Sequence, residues 1–234
     1  MKLLEVHLQT HKVEALQAFY RDAFGLATAQ ESNGAFSFQT GTTRTFFHPV
    51  NDQSEPFYHF AFNIPENQFE AAKTWMEQRA PLLTHNAQDW IHFERINAHS
   101  VYCYDPAGNI VELIARHDLH NASDAEFGSD SILEMSEIGL PVPNVEAYVP
   151  HLCAATGMDV WRLSSINDTL TFVGQEDGMF IVVVQDRDWL MTKDPAVPYP
   201  VTALVEGRGK DFTDAERGYH IRFSGILNPP AGGK

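Results

Sequence analysis

Cysteine is nearly absent: Cys103 and Cys153 are the only two in 234 residues. One falls in a predicted strand and the other in a predicted helix, which excludes a disulfide framework or a thiolate zinc cluster. A reduced, cytoplasmic setting is the expectation. Basic charge is scarce as well, with 16 Lys and Arg against 31 Asp and Glu, a net charge of −15. Such a balance repels phosphate backbones and anionic bilayers, so neither nucleic acid nor a membrane is expected as a partner. No apolar run approaches the roughly 20 residues needed to span a bilayer, and Met1 leads directly into strand-like sequence without a basic and apolar leader.

What is present suffices for a packed core: 44% of the chain is apolar and 12% aromatic. Leu3 to Thr10 alternates as a half-buried strand, with Leu4, Val6 and Leu8 on one face and Glu5, His7 and Gln9 on the other. Val13 to Phe24 carries apolar residues at helical spacing and stops at Gly25. Strands are expected at Ala35 to Phe38 and Arg44 to Pro49, with a weaker one at Ala27 to Glu31. The same order returns after Glu55: a strand at Phe57 to Ile64, a helix opened by Pro65 and Asn67, and a hairpin from Ser100 to Arg116. A third copy starts at Ile132, where Glu137 takes the place of Glu5, although Pro150 would make its helix short or late-starting. Strands at Leu170 to Val173, Met179 to Gln185, Val201 to Val205 and Tyr219 to Phe223 follow, the last two without a helix between them. The expected organisation is a paired-module unit over residues 1–118, an acidic linker over 119–131, a degenerate second unit over 132–228 and a loose tail over 229–234.

One carboxylate stands out. Asp105-Pro106-Ala107-Gly108 has turn chemistry, and in the strand that follows Ile110, Glu112 and Ile114 share a face. A carboxylate between two isoleucines costs several kcal/mol to bury unless a cation or a strong donor meets it. Arg95 and Arg116 are the ordinary candidates for that partner, and a metal is the other.

Repeated βαβββ modules, the helix running through Ala18-Phe19-Tyr20-Arg21-Asp22 to Gly25, and the stretch Asp105 to Leu113 together resemble the vicinal oxygen chelate superfamily. That superfamily includes glyoxalase I, the bleomycin-resistance proteins and the type I extradiol dioxygenases. The resemblance covers Leu3 to Arg116 well and Ile132 to Phe223 weakly. It implies an α+β fold of tandem modules whose curved mixed sheets form an open cup for a divalent metal: two complete modules, a third, and a degenerate fourth. It also implies that Glu112 is a last-strand ligand and His59 a first-strand ligand. The first module's matching place falls on Glu5, with His7 two residues on and on the same face; either could complete the set. Tyr102 lies where ring-cleaving dioxygenases carry a substrate-contacting tyrosine, and His99 and His48 are further candidates as proton carriers or ligands. Glu137 has no partner carboxylate identifiable within its own module.

The third ligand decides the chemistry. His7, His59 and Glu112 would make the two-imidazole, one-carboxylate set of non-haem Fe²⁺ oxygenases. Glu5 in place of His7 would leave one imidazole and two carboxylates, a harder set for Mn²⁺, Fe²⁺ or Ni²⁺, with Zn²⁺ also admissible, suited to Lewis-acid isomerisation. The leading expectation is a dioxygenase-like oxidoreductase acting on a catechol-like or other vicinal-oxygen small molecule, in a chain compatible with a homodimer. The alternatives are a glyoxalase-like lyase or isomerase and a metal-free binding cup of the bleomycin-resistance type, its aromatic side chains holding the ligand.

Overall fold

Modules that repeat in sequence need not pair in sequence order, and here they do not. The computed structural model describes residues 1–225; the tail expected at 229–234 lies outside them. The first module comprises β1 (Leu3–Thr10), α1 (Val13–Ala18), β2 (Thr28–Gln30), β3 (Phe36–Thr40) and β4 (Thr43–Pro49). The second comprises β5 (His59–Ile64), α2 (Phe69–Glu77), β6 (Ile91–Phe93), β7 (Ala98–Tyr104) and β8 (Ile110–Arg116). The third holds β9 (Met135–Val142), α3 (Val145–Thr156), β10 (Leu170–Gln175) and β11 (Gly178–Val184). The fourth is three strands without a helix, β12 (Val201–Val205), β13 (Phe212–Asp214) and β14 (Tyr219–Phe223).

Two seven-stranded sheets result, in the orders β13-β14-β12-β1-β4-β3-β2 and β10-β11-β9-β5-β8-β7-β6. The first module therefore joins the fourth through β1 and β12, and the second joins the third through β5 and β9, both junctions antiparallel. Each sheet draws strands from both sides of residues 119–131. That segment is tied down rather than loose: Gln68 donates to the Ser123 and Ala125 carbonyls, and Phe127 packs edge-on against Trp75.

Alternation then sorts side chains between a shared interior and two outward concave faces. Phe38 and Phe47 of the first sheet meet Phe62 and Phe60 of the second at 6.4 Å between ring centroids, so one core joins both sheets. The β7–β8 hairpin is fixed to the first module through Asp105, whose carboxylate accepts from the Ala107 and Asn109 amides, the Asn109 side chain and the Tyr20 hydroxyl. Gly108 closes the turn at φ +85°, a conformation that favours glycine. Against expectation, α3 runs unbroken through Pro150. The proline faces solvent while Val145, Val149 and Leu152 are buried, so the backbone hydrogen bond it cannot donate is lost on the wet side and the apolar face still holds the helix. Among the described residues no helix is long and apolar enough to cross a membrane.

Candidate metal centre

The site follows from strand register. Ala61 in β5 is opposite Glu112 of β8 on one side and Glu137 of β9 on the other. Register partners share a face, and His59, two residues before Ala61, shares it too. Adjacent strands lie about 4.8 Å apart, so the two glutamates start two strand spacings from each other and bend over the small Ala61 side chain to meet. His59, Glu112 and Glu137 thus bring ligand atoms within 4.8 Å of one another. The three residues are only 7%, 3% and 5% exposed.

Hydrogen bonding sets their state. The His59 Nδ1 lies 3.3 Å from the Ile110 carbonyl, which assigns the proton to that nitrogen. Its Nε2 then turns a lone pair toward Glu112 Oε2 at 3.4 Å. Two acceptors face each other in a buried space, with a second carboxylate beside them. Arg116 pairs with Oε1 of Glu137 and also contacts Asn63 Oδ1 at 3.3 Å. With Glu112 and Glu137 ionised, one guanidinium leaves a net negative charge among these groups. A divalent cation between Nε2 and the carboxylates satisfies both the facing lone pairs and the charge, so the residues present fit a metal. The alternative occupant of the gap is a proton on Nε2, making a buried imidazolium–carboxylate pair. Burial pushes the Glu137 carboxyl up, a shift that Arg116 opposes and Glu112 reinforces.

The cluster lies in a cavity of about 560 Å³ whose other walls include Tyr102, Trp161, Phe172, Ile181 and Trp189. Burial first, and then the Glu112 carboxylate against which it bonds, push Tyr102 well above the usual phenol range, so it stays a donor. The Trp189 ring lies 4.9 Å from that of His59. It fits only because residue 139 is glycine: a Cβ there would sit 2.5 Å from Trp189 Cη2. A wider groove of about 730 Å³ beside Phe24, Trp75 and Phe127 has acidic residues and Arg79 on its walls but no histidine.

Of the residues expected from sequence, His59, Glu112 and Tyr102 come together here. Glu5 and His7 do not join them. They face the concave side of the other sheet, where His7 contacts His48 at 2.9 Å and Glu5 at 3.5 Å and stacks on Phe46. His99 belongs to the opposite face of β7 from Tyr102, as three residues of strand require. It stacks on His92, meets His117 at 2.7 Å and packs against Phe69 and Trp90. Burial, then His92 and His117, lower its pKa against the pull of Glu70. The third corner is instead Glu137, whose partners come from another module. Its signal is the matching place to Glu5, but its own module's last strand offers Met179 opposite it and no carboxylate.

No protein-family model and no curated protein sequence matches the chain. Solved structures do match in shape. A Bacillus subtilis protein provisionally named a dioxygenase aligns over 93% of this chain and 72% of its own, with a TM-score of 0.60 at 13% identity. Glyoxalase I from Zea mays aligns over 87% of this chain and 74% of its own, with a TM-score of 0.52 at 13% identity. A glutamate-to-glutamine mutant of that maize enzyme gives a TM-score of 0.55 at 14% identity, over 87% of this chain and 75% of that one.

Proposed function

We propose that this chain, whose fold is that of the vicinal oxygen chelate proteins, is a metal-dependent enzyme acting by Lewis-acid chemistry on a small molecule with two adjacent oxygens. The observation that carries the reading is the convergence of His59, Glu112 and Glu137 at the head of the 560 Å³ cavity. One imidazole and two carboxylates make a hard set suited to Mn²⁺, Fe²⁺ or Ni²⁺. That favours an isomerase or lyase of glyoxalase type over ring cleavage. Ring cleavage of the expected kind draws on a second imidazole, and among the described residues His59 is the cavity's one histidine.

A divalent ion bound there supplies Lewis acidity toward the substrate's adjacent oxygens. The chain's own residues do the rest. Ile110 holds the His59 tautomer with Nε2 inward. Arg116 anchors one oxygen of Glu137 and leaves the other for the centre. Tyr102 keeps its proton and directs it at Glu112. Trp189 covers one side of His59 with an apolar ring, and the low exposure of His59, Glu112 and Glu137 strengthens electrostatic interactions among them.

Metal analysis of protein purified without chelator tests this. A stoichiometric divalent ion is expected in wild type. Its affinity should fall by roughly tenfold or more in folded His59→Ala, Glu112→Ala and Glu137→Gln variants, and stay at the wild-type value in Glu5→Ala and His7→Ala. A second reading, a metal-free cup for an aromatic ligand, is favoured by the tryptophan and phenylalanine walls. It prevails if wild type binds no ion while aromatic ligands still bind.

A further inference from the structure

Two arginines also line the cavity, from opposite sides of the sheet. Arg95 reaches the cavity from the turn Glu94–Ile96 that follows β6, and Arg187 from the loop that follows β11. Neither guanidinium has an ion pair or a side-chain hydrogen bond among the described residues. Of the other eight arginines, Arg21, Arg44, Arg116, Arg162 and Arg217 are ion-paired and Arg79 donates to the Trp75 carbonyl, while Arg208 and Arg222 are exposed. Arg95 is exposed as well, so Arg187 is set apart by being half-buried in a cavity wall without an ion pair. Glu94 lines the cavity too, so Arg95, Arg187 and Glu94 together carry a net positive charge.

Arg187 is half-buried, and its placement is fixed by backbone. Ala196 N donates to Arg187 O at 2.8 Å, and Trp189 N to Asp194 O at 3.0 Å, so the segment doubles back on itself. Arg187 and Trp189, two residues apart, both line the cavity. A guanidinium offers five donors in a planar fork that matches a carboxylate in bidentate geometry. Held partly desolvated beside aromatic walls, that fork gains most from an anion brought by a ligand.

We infer that Arg187, assisted by Arg95, selects substrates bearing a carboxylate. The ligand class is an aromatic acid, its ring among Trp161, Phe172 and Trp189 and its adjacent oxygens at the His59, Glu112 and Glu137 end. The orientation rests on the metal-centre reading; the preference for negative charge does not.

Caffeate, with adjacent hydroxyls at one end and a carboxylate at the other, and its neutral methyl ester are the probes. Calorimetric titrations compare them on Mn²⁺-loaded and on chelator-treated protein. Loaded wild type should bind caffeate at least tenfold more tightly than the ester. Arg187→Gln should bring the ratio below twofold while the ester's affinity stays within twofold of wild type, and Arg95→Gln should reduce it to a smaller degree. A wild-type ratio near one, a ratio that survives in both variants, or no binding of either compound overturns the assignment. A tenfold ratio that is lost in Arg187→Gln, with affinities unchanged by chelation, upholds the arginines and refutes the metal centre. The same ratio, with both compounds losing affinity on chelation, supports both.

Discussion

Replacing Arg116 by methionine isolates the electrostatics of the candidate centre. The guanidinium and Glu137 are both nearly fully buried, at 3% and 7% side-chain exposure. Methionine keeps much of the volume but leaves the carboxylate buried without its counter-ion, a change that typically costs about 3–5 kcal/mol. For 234 residues the unfolding entropy is about 0.5 kcal/mol/K, so the expected fall in Tm at pH 8 is about 6–10 °C. The pH dependence has a definite sign. Burial already raises the Glu137 pKa above its ordinary value, and removing Arg116 raises it further. The destabilisation is therefore smallest below the wild-type folded-state value and grows as pH rises from there through the variant's higher one. Calorimetric melts of metal-free wild type, Arg116→Met, Glu137→Gln and the double variant, at pH 8 and pH 5, measure it. The double variant should recover most of the loss, and Mn²⁺ should bind Arg116→Met more tightly than wild type because the guanidinium no longer competes for Glu137. A fall of less than about 2 °C at pH 8, or a double variant no more stable than Arg116→Met, would refute the reasoning.

Other consequences are simpler to check. Gly139→Ala should expel the Trp189 ring from beside His59, at a cost of about 1–3 kcal/mol, read as a change in near-ultraviolet dichroism and a lower Tm. Burial pushes Asp105 up to about 6 from its ordinary 3.8 despite its four donors. Its contribution to stability is thus complete below pH 3.8 and declines by about 3 kcal/mol as pH rises through 6. Asp105→Asn should flatten stability between pH 5 and 7 in urea titrations; an unchanged slope would exclude Asp105 as its source. Ala61→Leu should fill the space over which Glu112 and Glu137 converge and weaken metal binding by roughly tenfold or more, measured by competition with a chromogenic chelator.

Local chemistry was the legible part of this chain. Alternation and helical spacing located the modules. The Asp105 turn fixed the hairpin, and the isolation of Glu112 between Ile110 and Ile114 pointed to a buried partner. His99 was expected at the site with Tyr102, although the three-residue step between them puts it on the other face of β7. What alternation cannot express is which strand edge meets which. The antiparallel β5–β9 junction brings Glu137 beside Ala61, and nothing within either strand selects that neighbour. Glu137 therefore looked solitary while its partners were sought inside its own module. Pro150 misled for a related reason: a rule about helix interiors carries no information on which side of the helix faces water.

The pairing of the first module with the fourth also sets a timetable. Leu3 finds its partner Val205 only far downstream, so on a ribosome adding 5–20 residues per second the outer edge of β1 waits on the order of 10–40 s. During that interval it offers unpaired amides and carbonyls to any extended segment nearby. The second and third modules can close their sheet earlier. Half of the molecule is thus in a position to be assembled while the opening strand of the other half still needs protection, which makes the yield of native protein sensitive to translation speed and to chaperones that shield exposed strand edges.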